Sequence, residues 1–157
     1  MTTTVTKVIL TPRERQILEG LADGSMLAAV ALHLHIREGT ASEYLKLAKR
    51  KLHGVSETTA ALAVAYATEA ITQPQLLGSQ SLHLLRGQRE LVPLVARGMT
   101  VAQMATDLKR RVDVIRRDGR QLLVNLQARN PAHLVTRAWQ YQILTAEEVI
   151  EWLRRPQ

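Results

Sequence analysis

Residues 11–24 have the sequence TPRERQILEGLADG, which predicts an amphipathic helix with both of its ends marked. Thr11 is a favoured N-cap and Pro12 fits the first helical position. Glu14 lies three residues after the cap, where its side chain can bond back to the cap N–H. Four apolar residues then form one helical stripe: Ile17, Leu18, Leu21 and Ala22. Gly24 ends the helix because glycine adopts a left-handed backbone without strain.

The same pattern returns in the second half of the chain. When the sequence is shifted so that Gly24 aligns with Gly98, three further pairs also align: Ala22 with Ala96, Leu34 with Leu108, and Leu52 with Leu126. We call this shift the repeat offset. We therefore predict an all-α chain made of two divergent copies of one four-helix unit, with an additional C-terminal helix. We place the first module at residues 1–72, a linker at residues 73–82 and the second module at residues 83–157, and we expect each module to fold around its own small core.

Apolar periodicity and capping residues predict the helices within each copy. We expect them at residues 12–22, 27–34, 38–52 and 56–71 in the first copy, and at residues 87–97, 101–108, 112–127 and 131–144 in the second, followed by 146–155. The second helix is almost wholly apolar, so we expect it to be buried. The fourth is apolar nearly all round, so it needs partners on more than one side. Gly119 falls on the inward stripe of its helix, which predicts either a close backbone approach or a weakened helix.

Charge separates the two copies. The chain has a net charge of +7 and a pI near 10.4. Residues 10–72 hold seven Lys/Arg and seven Asp/Glu, whereas residues 83–145 hold eleven Lys/Arg and four Asp/Glu. The second copy therefore carries the excess positive charge. This distribution favours a surface that binds a polyanion, because each cation docked on a phosphate releases condensed counterions.

Composition argues against several other classes of protein. The chain has no cysteine, which removes disulfides, thiolate metal sites and thiol nucleophiles and fits a reducing cytoplasm. No signal-peptide core begins the sequence, and the longest apolar run, residues 60–67, is too short to span a membrane. We expect a cytoplasmic protein without a membrane segment.

Candidate catalytic and metal-binding residues are few. His33 and His35 point to different sides of a helix, and Glu147, Glu148 and Glu151 lie in the first turns of a helix, where its dipole stabilises negative charge. No phosphate loop, nucleophile elbow or H-E-x-x-H helix is present. The low aromatic content argues against single-strand binding by base stacking. We therefore expect no enzymatic activity, no cofactor and no metal ion.

The first copy resembles a known DNA-binding family. The residues that carry this resemblance are Leu10–Arg15, Ile17, Leu18, Leu21, Ala22, Gly24, Ile36, Glu38–Thr40, Leu45, Lys51, Leu52, Gly54 and Val55. Together they are similar to the LuxR-type, or GerE-type, helix-turn-helix domain of bacterial transcription regulators. The resemblance covers residues 10–71, and the second copy is assigned through its alignment with the first. It implies four helices, of which the third enters the major groove and the fourth is often used for dimerisation.

The resemblance places a set of first-copy residues at the groove. Those that face it are Thr40, Ser42, Glu43 and Lys46, with Lys49 and Arg50 on the same outward side. The family commonly has lysine at the position of Ser42, and Glu43 adds a negative charge that accepts from cytosine but repels phosphates. His53 is an insertion before the fourth helix. We therefore expect this copy to bind DNA weakly or not at all.

The corresponding second-copy residues are far more basic. They are Val114, Arg116, Arg117 and Arg120, with Lys109, Arg110 and Arg111 in the preceding turn. Arginine can bond guanine O6 and N7 bidentately or clamp phosphates. The other interpretation is a solvated helix face on which Asp113 and Asp118 neutralise the arginines.

These observations predict a bacterial DNA-binding transcription regulator that lacks a sensory domain, since the first helix already begins near Thr11. In one arrangement the two modules form an internal pseudo-dimer on two half-sites about 34 Å apart. In the other, which we favour, the basic module binds double-stranded DNA and the neutral one binds a partner such as RNA polymerase or another regulator. A homodimer through the apolar helix at residues 56–71 is also expected. The alternative function is an adaptor of the same fold that binds a transcription factor or sigma factor rather than DNA.

Overall fold

The computed structural model describes residues 7–78 and 82–155, which form ten helices and no strand. The helices are α1 (Pro12–Ala22), α2 (Leu27–His33), α3 (Glu38–Lys51), α4 (Thr58–Ala67), α5 (Arg86–Arg89), α6 (Leu91–Ala96), α7 (Val101–Leu108), α8 (Val112–Asn125), α9 (Pro131–Gln140) and α10 (Ala146–Arg154). The predicted all-α class is confirmed. Residues 1–6, 79–81 and 156–157, which belong to the predicted first module, linker and second module, lie outside the described residues.

The first three helices form as the sequence predicts. Thr11 and Glu14 make the reciprocal capping box at the start of α1, and Gly24 follows the helix with φ +90°. Helix α1 packs on both α2 and α3. It buries Ile17 and Leu18 completely against the inward stripe of α3. This packing leaves the opposite side of α3 in solvent.

The predicted helix at residues 87–97 is instead two short helices, α5 and α6, which meet at Glu90. Pro93 accounts for the break, because its ring has no N–H to donate and clashes with the carbonyl four residues earlier, that of Arg89. Nevertheless, the start of α5 and the end of α6 lie exactly one repeat offset after the start and the end of α1. Helix α8 lies at the same offset from α3 at both of its ends.

The expectation of two separate cores is wrong, because α4 lies at the centre of one continuous core. The stretch Ala60–Tyr66 is buried on every side, since α4 packs against α9 and α10 and also contacts α6. The prediction that this helix needs several partners is confirmed. The expected homodimer through residues 56–71 is not supported, because partners within the same chain already cover this apolar surface. The helix itself is shorter than expected, beginning at Thr58 and ending at Ala67.

The expected burial of α2 is also wrong. Val30 and Ala31 face the core, but Met26 and Leu32 on the outer side are 70% and 77% exposed. His33 is exposed as well. A short helix lying on the surface of α1 and α3 has only one covered face, whatever the polarity of its other residues.

Hydrogen bonds of polar side chains, two of them buried, fix the second half of the chain to the first. The Thr136 hydroxyl donates to the Ala22 carbonyl (2.8 Å), so the Tyr66 hydroxyl must donate to Thr136 Oγ1 (2.9 Å). The Tyr66 and Trp139 rings lie 5.4 Å apart. From the linker, the Gln73 amide donates to the Tyr66 carbonyl and accepts from the Trp139 indole. These bonds have fixed partners and geometry, so they set the position of one half relative to the other.

A partly buried ion pair joins the start of α1 to the end of α3. The Glu14 carboxylate is 2% exposed and accepts from Lys51 Nζ at 2.8 Å. Burial by itself would raise the pKa of Glu14. Hydrogen bonds from Lys51 and from the Thr11 backbone N–H, together with the Lys51 charge, outweigh burial and lower that pKa below its ordinary value.

We expect Glu14→Gln to destabilise the protein at neutral pH by about 1.5 kcal/mol, because the amide keeps an acceptor for the cap but loses the charge-assisted bond. The difference from wild type should be complete above the ordinary glutamate pKa. It should disappear as the pH falls through the lowered pKa of folded Glu14. Urea denaturation across an acidic pH series measures this difference. Glu147→Gln, at an exposed carboxylate, is the control, and an equal pH response of the two variants would contradict the prediction.

Candidate nucleic-acid interface

Helices α7 and α8 meet at a tight turn formed by residues 109–111. Lys109 ends α7 in the left-handed conformation, with φ +56°, and α8 begins at Val112. The two helices pack together, and α8 also contacts α5. Ile115 and Leu122 anchor one side of α8 in the core with 1% and 0% exposure. The opposite side of α8 therefore faces outward, because Ile115 and Leu122 hold the helix against the core.

That outward side carries three arginines, Arg116, Arg117 and Arg120, all of them exposed. Arg117 lies 3.5 Å from Asp118, but its side chain stays 60% exposed. Within residues 7–78 and 82–155, neither Arg116 nor Arg120 forms an ion pair. Asp118 pairs with Arg117 and Asp113 pairs with Arg111, so the described acidic side chains leave the charges of Arg116 and Arg120 uncompensated.

The basic residues of the preceding turn divide into two groups. Arg110 is turned inward, where it pairs with the Glu90 carboxylate and donates to the Gly87 carbonyl at 3.1 Å. Arg110 therefore lies outside the exposed basic cluster of this turn, because its guanidinium holds α5 and α6 to the turn. Lys109 and Arg111 remain exposed, although Arg111 lies 3.3 Å from Asp113.

A network of polar side chains that the sequence did not reveal joins α8 to α5. Gln88 is 2% exposed and donates to Gln121 Oε1 at 3.2 Å, while Asn125 donates to Gln88 Oε1 at 2.7 Å. The network fixes the rotation of α8 relative to α5, and with it the direction in which the arginines point. The sequence could not predict that Gln88 holds α8 in place, because its partners lie far along the chain, on α8.

Gly119 does not mark a close backbone approach, since a Cβ added there would meet no atom within 4 Å. The alternative expectation, a weakened helix, remains a prediction. Gly119→Ala should therefore stabilise the protein by roughly 1 kcal/mol, the usual cost of glycine within a helix. Thermal or urea denaturation measures the change. The contrasting variant is Gly20→Ala, whose Cβ would lie 2.7 Å from Val30 Cγ2 and should destabilise. A destabilised Gly119→Ala protein would contradict this account of α8.

The corresponding face of α3 is nearly neutral. Five predicted groove residues are exposed, namely Thr40, Ser42, Glu43, Lys46 and Arg50, while Lys49 is half-buried. Glu43 lies 4.0 Å from Lys46 and offsets part of its charge. Residues 35–46 contain two basic and two acidic side chains, whereas residues 109–120, one repeat offset later, contain six and two. The two faces thus share a position in their helices but differ in electrostatic potential.

Comparison with known proteins gives a match in the first half of the chain. Residues 8–64, which contain α1 to α3 and most of α4, match the model of the bacterial regulatory proteins of the luxR family, GerE. This segment is similar to the LuxR-type helix-turn-helix domain, which is found in DNA-binding transcription regulators. The resemblance inferred from the sequence is confirmed for this segment. Searches of curated proteins and of solved structures give no match.

Two further properties concern the described residues alone. None of their helices is both long and apolar enough to cross a membrane. Residues 7–78 and 82–155 also contain no group of three or more histidine, aspartate or glutamate side chains placed to hold a metal ion.

Proposed function

We propose that this chain is a bacterial DNA-binding transcription regulator with two helix-turn-helix modules, and that α8 of the second module supplies most of its affinity for DNA. The main support is the exposed cluster Arg116, Arg117 and Arg120, held outward on a helix whose other side is anchored in the core. The luxR-family match in the first module supports the class of function. The matching bounds of α3 and α8 support treating the second module as a divergent copy.

The proposed mode of binding follows from the geometry of α8. A helix that presents arginines on one face fits the major groove, where a guanidinium bonds the O6 and N7 atoms of guanine or clamps a flanking phosphate. Exposed Lys109 and Arg111, in the turn before the helix, are placed to contact the phosphate backbone. Phosphate contacts dominate affinity, and the few base contacts of α8 give sequence preference.

A fluorescence-anisotropy titration of the full chain with random-sequence duplex tests the function directly. The affinity should be strongest at low salt, and its logarithm should fall linearly with the logarithm of salt concentration. If the positively charged chain did not bind the duplex even at low salt, the proposed DNA-binding function would be refuted.

The first module is the weaker reader in this proposal because Glu43 stands on its groove-facing helix. Glu43→Lys should tighten binding to random duplex several-fold and steepen the salt slope by about one unit, since a repulsive carboxylate becomes a phosphate contact. Glu147→Lys makes the same charge change on the exposed side of α10 and is the matched control. Equal responses in a salt-dependent titration would show that α3 lies away from the DNA.

A second candidate function, binding of a protein partner by the first module, is favoured by the outer face of α2. Met26 and Leu32 are largely exposed, yet the residues at the same offset in the second module, Thr100 and Thr106, are polar. The fold therefore does not require apolar residues at these positions. Under this hypothesis, Met26→Thr with Leu32→Thr should leave DNA affinity unchanged and weaken binding to RNA polymerase or another regulator. If the double variant bound purified RNA polymerase and the other regulators tried as tightly as wild type does, this face of α2 would have no role in partner binding.

A further inference from the structure

Several contacts between the two halves of the chain occur in reciprocal pairs. A Cβ added to Gly24 would lie 3.1 Å from His133 Cβ, at the start of α9. A Cβ added to Gly98 would overlap the Glu57 side chain, just before α4, and lie 3.5 Å from Thr59 Oγ1, at the start of α4. The repeat offset that relates Gly24 to Gly98 also relates Thr59 to His133. The turn after the first helix of each half therefore touches the start of the fourth helix of the other half.

The helix packing has the same reciprocity. Helix α1 contacts α9, α6 contacts α4, and α4 packs directly against α9 between these two contacts. An interface in which the same patch of each unit meets its counterpart is isologous and requires a two-fold axis, whereas a head-to-tail interface joins two different patches. The contacts thus describe an approximate two-fold axis passing between α4 and α9.

We infer that the two modules form an internal dimer about this axis, and that a single chain binds one DNA site composed of two inverted half-sites. The inference rests on the proposed DNA-binding function and goes further, because it specifies the symmetry of the site and the number of chains bound. Duplex DNA has its own two-fold axes, so two symmetric reading helices match half-sites in opposite orientation, one helical turn apart. Direct repeats would instead require a translational arrangement of the modules.

The two half-sites differ in how strongly they are held. Helix α8 presents Arg116, Arg117 and Arg120, and the residues at the same positions of α3 are Ser42, Glu43 and Lys46. Because the arginines can contact both guanines and phosphates, the half-site under α8 should have the more constrained sequence. The bound site is therefore an imperfect inverted repeat with one strong and one weak half.

Cross-linking tests the internal two-fold axis without DNA, and the chain is suited to it because it contains no cysteine. Asp23 and Arg129 flank one side of the interface, since Arg129 lies beside Gly24. Arg97 and Val55 are at the positions related to these by the repeat offset, and they line a common cavity on the other side. Asp23→Cys with Arg129→Cys, and Arg97→Cys with Val55→Cys, should each be joined within one chain by a short bismaleimide. Linkage of only one pair would overturn the two-fold arrangement.

Selection from a random duplex pool with the uncross-linked wild-type chain, followed by sedimentation of the complex, tests the DNA site. We expect an imperfect inverted repeat and one chain per duplex, and both cross-linked variants should still bind it. A direct repeat, a single half-site or two chains per duplex would overturn the inference. If both pairs cross-link but no duplex is selected, the internal dimer stands and the proposed DNA-binding function fails, together with the site predicted from it.

Discussion

Replacement of Arg116, Arg117 and Arg120 by alanine should weaken binding to duplex DNA by at least about 100-fold at low salt. Each arginine contact with a base or phosphate contributes roughly 1–3 kcal/mol, so the loss of three exceeds a factor of 100 even near the lower limit. The salt slope should also become shallower by about 2.7 units if all three side chains neutralise phosphates. Anisotropy titrations at several salt concentrations measure both quantities.

The control for this variant removes the same charge elsewhere. Arg15, Arg154 and Arg155 are exposed on or next to α1 and α10, and their triple alanine variant should lose only the long-range attraction. Both variants should retain the wild-type circular dichroism spectrum, because all six side chains are exposed. If both variants bind DNA equally well, net charge rather than α8 explains the affinity.

Leu18→Ala should destabilise the whole chain, and not the first module alone, by about 2–5 kcal/mol. Leu18 is completely buried in α1, which packs on α9 of the second half as well as on α2 and α3. Both tryptophans, Trp139 and Trp152, lie in the second half. Their fluorescence should therefore report the loss of stability at the same denaturant concentration as the circular dichroism signal.

Coincident transitions for both probes are the signature of one cooperative unit. Leu32→Ala, at a 77% exposed side chain of α2, is the control and should change stability by no more than about 0.5 kcal/mol. A tryptophan transition that stays at its wild-type position in Leu18→Ala, while the helical signal is partly lost earlier, would show that the two halves unfold independently.

Local patterns predicted the helices well. The bounds of α1 followed from a capping box and a glycine stop, and those of α3 followed from one apolar stripe, all of which act within a few residues. The break between α5 and α6 was encoded equally locally, in Pro93, but the apolar pattern on both sides of it suggested one helix. Helix ends are set by caps and prolines, and these outweigh hydrophobic periodicity where the two disagree.

Tertiary relations were harder to predict. The apolar composition of α4 indicated several partners, but not that α9 and α10 of the same chain would be those partners. Composition likewise could not tell which side of α2 would remain exposed. Arg110 looked equivalent to its basic neighbours, and only the fold brings Glu90 close enough to pair with it. The α8 arginines were identified correctly as an outward cluster, because helical spacing alone determines which residues share a face.

The central position of α4 also limits where the chain can be truncated. A fragment that stops after residue 72 would contain every residue of the family match, yet it would leave Leu62 and Tyr66 without the helices that cover them. An apolar surface of that kind, newly open to water, promotes association between copies. Truncation at the linker should therefore yield fragments that self-associate. In these fragments α4 would pack against a neighbouring copy instead of against the second half of its own chain.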